Sequence, residues 1–159
     1  MEAAGGSLRV DPALEEILTQ EVRALLRALP PEGRAAQGLA RVADALRQGE
    51  VPENALPTLE QVLTLGLGTG RLLELHGRAA QTMALGLYAK TPAGRARARQ
   101  AEAVSAALTA ALEGAVLKAV TLSAEGPSGH RLLLETDRGD VQLRLDRLGI
   151  QVENLVVSL

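Results

Sequence analysis

The sequence predicts an α+β protein, with about five N-terminal helices packed as hairpins over residues 11–114 and a four-stranded antiparallel meander over 115–159. Two observations carry this reading. Up to Gly114 the apolar residues recur at the three- and four-residue spacing of a helix face, and from Ala115 they alternate, as in Val141-Gln142-Leu143-Arg144-Leu145-Asp146. Proline and glycine stand at most of the junctions, which divides the helical part into separate helices. A chain of 159 residues suits a short flexible leader, 1–10, followed by a single α+β domain, 11–159.

The first helix is expected to open at Asp11-Pro12, an N-cap followed by proline at the first helical position. Leu14, Ile17, Leu18, Val22, Leu25 and Leu29 form its apolar face. Glu15 and Glu16 near its start and Arg23 and Arg27 near its end suit the helix dipole. Pro30-Pro31 ends it. A second helix follows from about Glu32 to Gln48, with Leu39, Val42 and Leu46 inward and Gly49 as the left-handed residue after its end. Glu50 to Pro57 reads as a connection, and Thr58 with Gln61 makes a capping-box pattern for the third helix. Gly66, Gly68 and Gly70 each weaken a helix by about 1 kcal/mol relative to alanine, so a break or kink is expected before Arg71. The fourth helix then runs to about Ala89. Along it Gly70, Gly77 and Ala84 recur at heptad spacing, a stripe where another helix could approach closely, within the chain or between chains. Thr91-Pro92 opens a fifth helix, closed at Gly114, with a thin seam of Ala101, Val104, Leu108 and Ala111.

In the β part, a strand through Val116, Val120 and Leu122 ends at Glu125-Gly126-Pro127-Ser128-Gly129, and a second spans Arg131 to Thr136. Arg138-Gly139 predicts a tight hairpin to the third. The last strand, from Ile150, changes parity between Val152 and Leu155, which a bulge near Asn154 would explain. The apolar face of such a meander needs a covering layer, which the helices could supply.

Composition narrows the function classes. Hydrophobic residues are 47% of the chain but aromatics only 1%, so the core is built from Leu, Ala and Val. The absence of cysteine excludes disulfides, a thiolate nucleophile and a cysteine-based zinc site. A net charge of −2 excludes a globally basic nucleic-acid binder and leaves only a local patch. No uninterrupted apolar run is long enough to span a bilayer, and the expected compartment is the cytoplasm.

Val62 to Leu75, VLTLGLGTGRLLEL, resembles motif I of the class I S-adenosylmethionine-dependent methyltransferases, in which a strand leads into a glycine-rich turn against the cofactor. TPAGRARARQAEA, from Thr91, is similar to the helix after the second strand of that family. The resemblance implies a strand at Val62–Leu65 and an S-adenosylmethionine cradle. The residues also read as a bend between two buried helices, and this is the expectation taken, because a doubly wound sheet needs several further βα units.

Other catalytic constellations are poorer. His76 and His130 lack partners at ligand spacing, Ser128 precedes a strand where a nucleophile elbow needs a helix, and Asp137 and Asp140 flank a hairpin tip. No catalytic residue, cofactor or metal is therefore expected. Lys90, Arg95, Arg97 and Arg99, with Tyr88 beside them, form an arginine cluster at the start of the fifth helix, where free amides could hold an anion or nucleic acid. The sequence thus predicts a non-catalytic, homo-oligomerising interaction or scaffold module. Its partner is a second copy or another protein, with no membrane. The alternative is weak nucleic-acid or phosphate binding through the arginines, and a methyltransferase-like protein stands third.

Overall fold

The computed structural model describes residues 7–125 and 129–157, with side chains described as far as residue 148. The elements run β1 (Leu8–Arg9), α1 (Pro12–Ala28), α2 (Arg34–Arg47), β2 (Glu50–Val51), a 3-10 turn (Glu53–Ala55), α3 (Leu56–Gly68), α4 (Arg71–Lys90), α5 (Pro92–Leu112), then β3 (Leu117–Glu125), β4 (Gly129–Thr136), β5 (Gly139–Asp146) and β6 (Gly149–Val157). The protein is thus mixed α+β, helices first and antiparallel strands last. The chain divides into two compact units, one ending at Arg95 and one beginning at Ala96.

In the helical unit, Asp11 caps α1 as its sequence requires, its carboxylate accepting from the Ala13 amide at 2.9 Å. α1 packs on α2 and α3 on α4, with α1 also touching α3 and α4. Their interlocked apolar faces, Leu14, Leu18, Val22, Val42, Leu46, Leu59, Leu63 and Leu72, are almost fully buried. Gly49 adopts φ +71 after α2, the left-handed conformation that ends a helix without steric cost.

Three local features differ from expectation, while the choice between helix and strand at Val62–Leu65 falls as expected. Order begins before Asp11: Leu8 pairs with Val51 and Arg9 with Glu50, and Val10 is buried beneath them. Residues 1–6 of the predicted leader lie outside the described residues. α3 starts at Leu56, two residues before Thr58, because the 3-10 turn feeds directly into it; Thr58 sits in its first turn and closely faces Gly38 of α2. Val62 to Leu65 is helical, so the strand implied by the methyltransferase resemblance is absent. The expected break falls at Thr69-Gly70, where Gly70 takes φ +77, but there is a second: Gly77, at φ +81 and ψ 178, interrupts α4 in a region open almost only to glycine.

In the second unit β3 pairs with β4, β4 with β5 and β5 with β6, all antiparallel. The β4–β5 turn is Asp137-Arg138, one residue earlier than predicted, and Thr136 holds it by donating to Gly139 O at 2.6 Å and accepting from Arg138 N at 3.1 Å. Gln142 pairs with Asn154 but Leu143 with Val152, so Glu153 is an extra residue, a bulge where the parity change calls for one.

Candidate functional site

The start of α5 is built as predicted, but its amides are taken. Thr91 is fully buried; its hydroxyl donates to Tyr88 O at 2.8 Å and accepts from Gly94 N at 3.1 Å. Glu60 of α3 accepts from Ala93 N at 2.7 Å. A carboxylate from within the unit therefore occupies the positive end of the helix, the position an external anion would need. A Cβ on Gly94 would lie 1.9 Å from Tyr88 O, so only glycine allows α4 and α5 to meet this tightly.

The arginine cluster does not act as one group. Lys90 and Arg95 are both exposed and line a cleft of 210 Å³ with Glu53, while Tyr88 is half-buried. Arg97 belongs to the second unit, where it donates to Asp146 at 3.0 Å and to Leu148 O at 3.2 Å. Arg99 is exposed. Alternate spacing along a helix sends neighbouring arginines to different sides, which is why Arg97 finds a partner that Arg95 and Arg99 do not share.

The small-residue stripe also separates into three settings. Gly70 is the left-handed residue before α4, Gly77 is an exposed kink where an added Cβ would meet nothing within 4 Å, and Ala84 is fully buried. The heptad repeat presupposes one continuous helix, and the break at Gly77 removes that continuity.

One charged constellation escaped the sequence reading. Glu21 is only 6% exposed, and its carboxylate accepts from Arg71 Nε at 2.6 Å while its second oxygen lies 3.0 Å from His76 Nε2. Glu21 stands among Leu14, Leu18, Val22 and Leu25, so an acid inside an apolar stripe was the available signal. The arrangement ties α1 to the first turns of α4 and leaves His76 a satisfied, half-buried side chain. Among the described residues no group of three His, Cys, Asp or Glu could hold a metal ion. His130 is exposed, and Asp137 accepts from Val116 N at 2.7 Å, serving the backbone. Asp140 is exposed, and Ser128 lies outside the described residues.

An uncovered apolar surface lies on the strands. Val120 and Leu122 of β3 are opposite Leu134 and Leu132 of β4, which are opposite Val141 and Leu143 of β5, so all six share one face. Coverage falls across it: Val141 is 2% exposed and Leu143 6%, but Val120 is 54% exposed and Leu122 64%. Among the described residues β3 pairs only with β4 and is an edge strand, with one side of its backbone ladder open.

No family model matches this chain, and neither the curated proteins nor the solved structures compared with it contain a match. No helix among the described residues is long and apolar enough to cross a membrane.

Proposed function

We propose that this protein is a non-catalytic, homo-oligomerising interaction module, and that the C-terminal strands, read together as a four-stranded meander, associate through the open edge of β3. The observation that carries the reading is the exposure of Val120 and Leu122 on an unpaired edge strand. Natural proteins usually blunt such an edge with charge, proline or a covering segment. In β3 the only lysine is Lys118, and no proline interrupts its nine residues.

The strand is also suited to pair with itself. An antiparallel two-fold centred on Thr121 sets Val120 opposite Leu122 of the second copy, on the same apolar face, and Thr121 opposite Thr121. Lys118 falls opposite Ala124 and Leu117 opposite Glu125, so no like charges meet. Nine residues make a contact roughly 30 Å long. Such a strip is at the lower end of specific interface sizes, which favours a reversible dimer.

The chain has no cysteine, so Thr121→Cys gives an unambiguous test. Under mild oxidation it should cross-link to a dimer of twice the 16.6 kDa chain mass, and Leu122→Lys should return light scattering of the otherwise native protein to the single-chain value. A native protein that stays monomeric at high concentration would overturn the reading. Phosphate or nucleic-acid binding is the second reading, favoured by the cleft that Lys90 and Arg95 share.

A further inference from the structure

We infer that the groove between α1, α2 and α3 is a binding site for a small amphiphilic carboxylate, an apolar chain carrying one anionic head. The groove lies wholly within the helical unit and has a volume of 410 Å³, within the range of about 300–1,000 Å³ typical of small-molecule sites. Its walls are apolar: Leu25 from α1 and Leu29 just after it, Leu39 from α2, Val62 and Leu65 from α3. Leu65 is 47% exposed, an uncovered leucine on the groove wall.

Charge decides the class of ligand. Arg34 and Arg41 also line the groove, and among the described residues no acidic side chain does. They are seven residues apart on α2, on one helix face and about 10 Å apart along its axis. Both are exposed, and neither has a hydrogen bond or ion pair among the described residues. Arg47, farther along the same helix, is paired with Asp44. Two unpaired guanidinium groups beside an apolar trough suit a carboxylate, which an arginine can grip with two parallel hydrogen bonds.

On the face of α2 between the two arginines stands Gly38, which lets Thr58 of α3 approach closely, since a Cβ there would come within 3.0 Å of Thr58 Oγ1. The Thr58 hydroxyl and the Gln61 amide supply neutral polar groups on the opposite wall. A cavity of this size lies near the lower end of small-molecule sites and suits a short apolar chain with one head group. It is too small for the several anchors that a docked helix uses.

The test titrates decanoate, below its micellar concentration, into the full chain and follows backbone amide shifts by NMR. The expected result is one saturable site, with the largest shifts at Gly38, Thr58 and Leu65. The tail-matched cation decyltrimethylammonium should bind at least tenfold more weakly. Arg34→Gln with Arg41→Gln should weaken decanoate at least tenfold while leaving decanol binding unchanged, and circular dichroism should stay native because both positions are exposed. Leu65→Gln should weaken decanoate and decanol alike. Equal binding of the anion and the cation, decanoate affinity unchanged in the double arginine variant, or an acidic helical peptide that binds where decanoate does not would each overturn the assignment. The oligomeric state enters none of these readouts, so the site stands or falls independently of self-association through β3.

Discussion

The two units of this chain solve the same burial problem with different success. In the helical unit, side chains of α1 to α4 interlock, and Leu18, Leu46, Leu59 and Leu63 are wholly withdrawn from water. In the second unit the only fully covered apolar side chains among the described residues are Val141 and Leu143 of β5, while α5 beyond Arg95 buries none. Ala101 of its predicted seam is exposed, and Val104, Leu108 and Ala111 are half-covered. The physical reason is layering. A helix hairpin covers itself when two stripes meet, but a sheet with one apolar face needs a second layer over its whole width. A unit of roughly 60 residues has little chain left to supply one. The difference locates the well-packed core in the helices and exposed apolar side chains on the strands.

The most severe way to break the first unit is Gly94→Ala. Its Cβ would meet Tyr88 O at 1.9 Å and Ala89 Cα at 3.0 Å, and the backbone of both helices must shift to accept it. A loss of about 4 kcal/mol or more is expected, read as a lower midpoint in urea.

A paired substitution sharpens the contrast. Leu63→Ala empties a fully buried site and should cost about 3 kcal/mol. Leu122→Ala removes a side chain that is 64% exposed and should change the stability of the monomer by no more than about 0.5 kcal/mol. Equal losses in urea denaturation would abolish the distinction between the units.

The narrowest expected contrast concerns ion pairs. Glu21→Gln removes the charge of a buried carboxylate with two partners and should cost about 1–3 kcal/mol. Asp44→Asn, which breaks the exposed pair with Arg47, should cost less than about 1 kcal/mol. Thermal unfolding of the two variants under the same buffer gives the comparison directly.

Much of the fold was legible because it is written in local signals. Asp11-Pro12, Gly49 and Thr91-Pro92 act within one helical turn, so caps and ends appear where spacing and turn chemistry put them. The bulge at Glu153 was visible as a change of parity, since a period-two pattern cannot slip unnoticed. β1 and β2 were not legible, because two-residue strands are too short to carry a period. Nor was the kink at Gly77: the same residue type serves a helix contact or a helix break, and only its φ distinguishes them. Of the candidate site residues, Lys90 and Arg95 do come together, but Arg97 turns to Asp146, a partner 49 positions away.

By itself, then, the sequence determined the order and type of the longer elements, because capping, periodicity and turn preference are properties of neighbouring residues. Tertiary structure alone decided which charges are neutralised and which apolar surface stays open. Glu60 reaches the α5 amides across 33 positions, and Glu21 reaches Arg71 and His76 across 50 and 55. Val120 and Leu122 look in sequence like any buried strand positions, and they are exposed because nothing among the described residues covers the face of β3. Burial and ion pairing are set by what the folded chain brings alongside, and no local pattern encodes that.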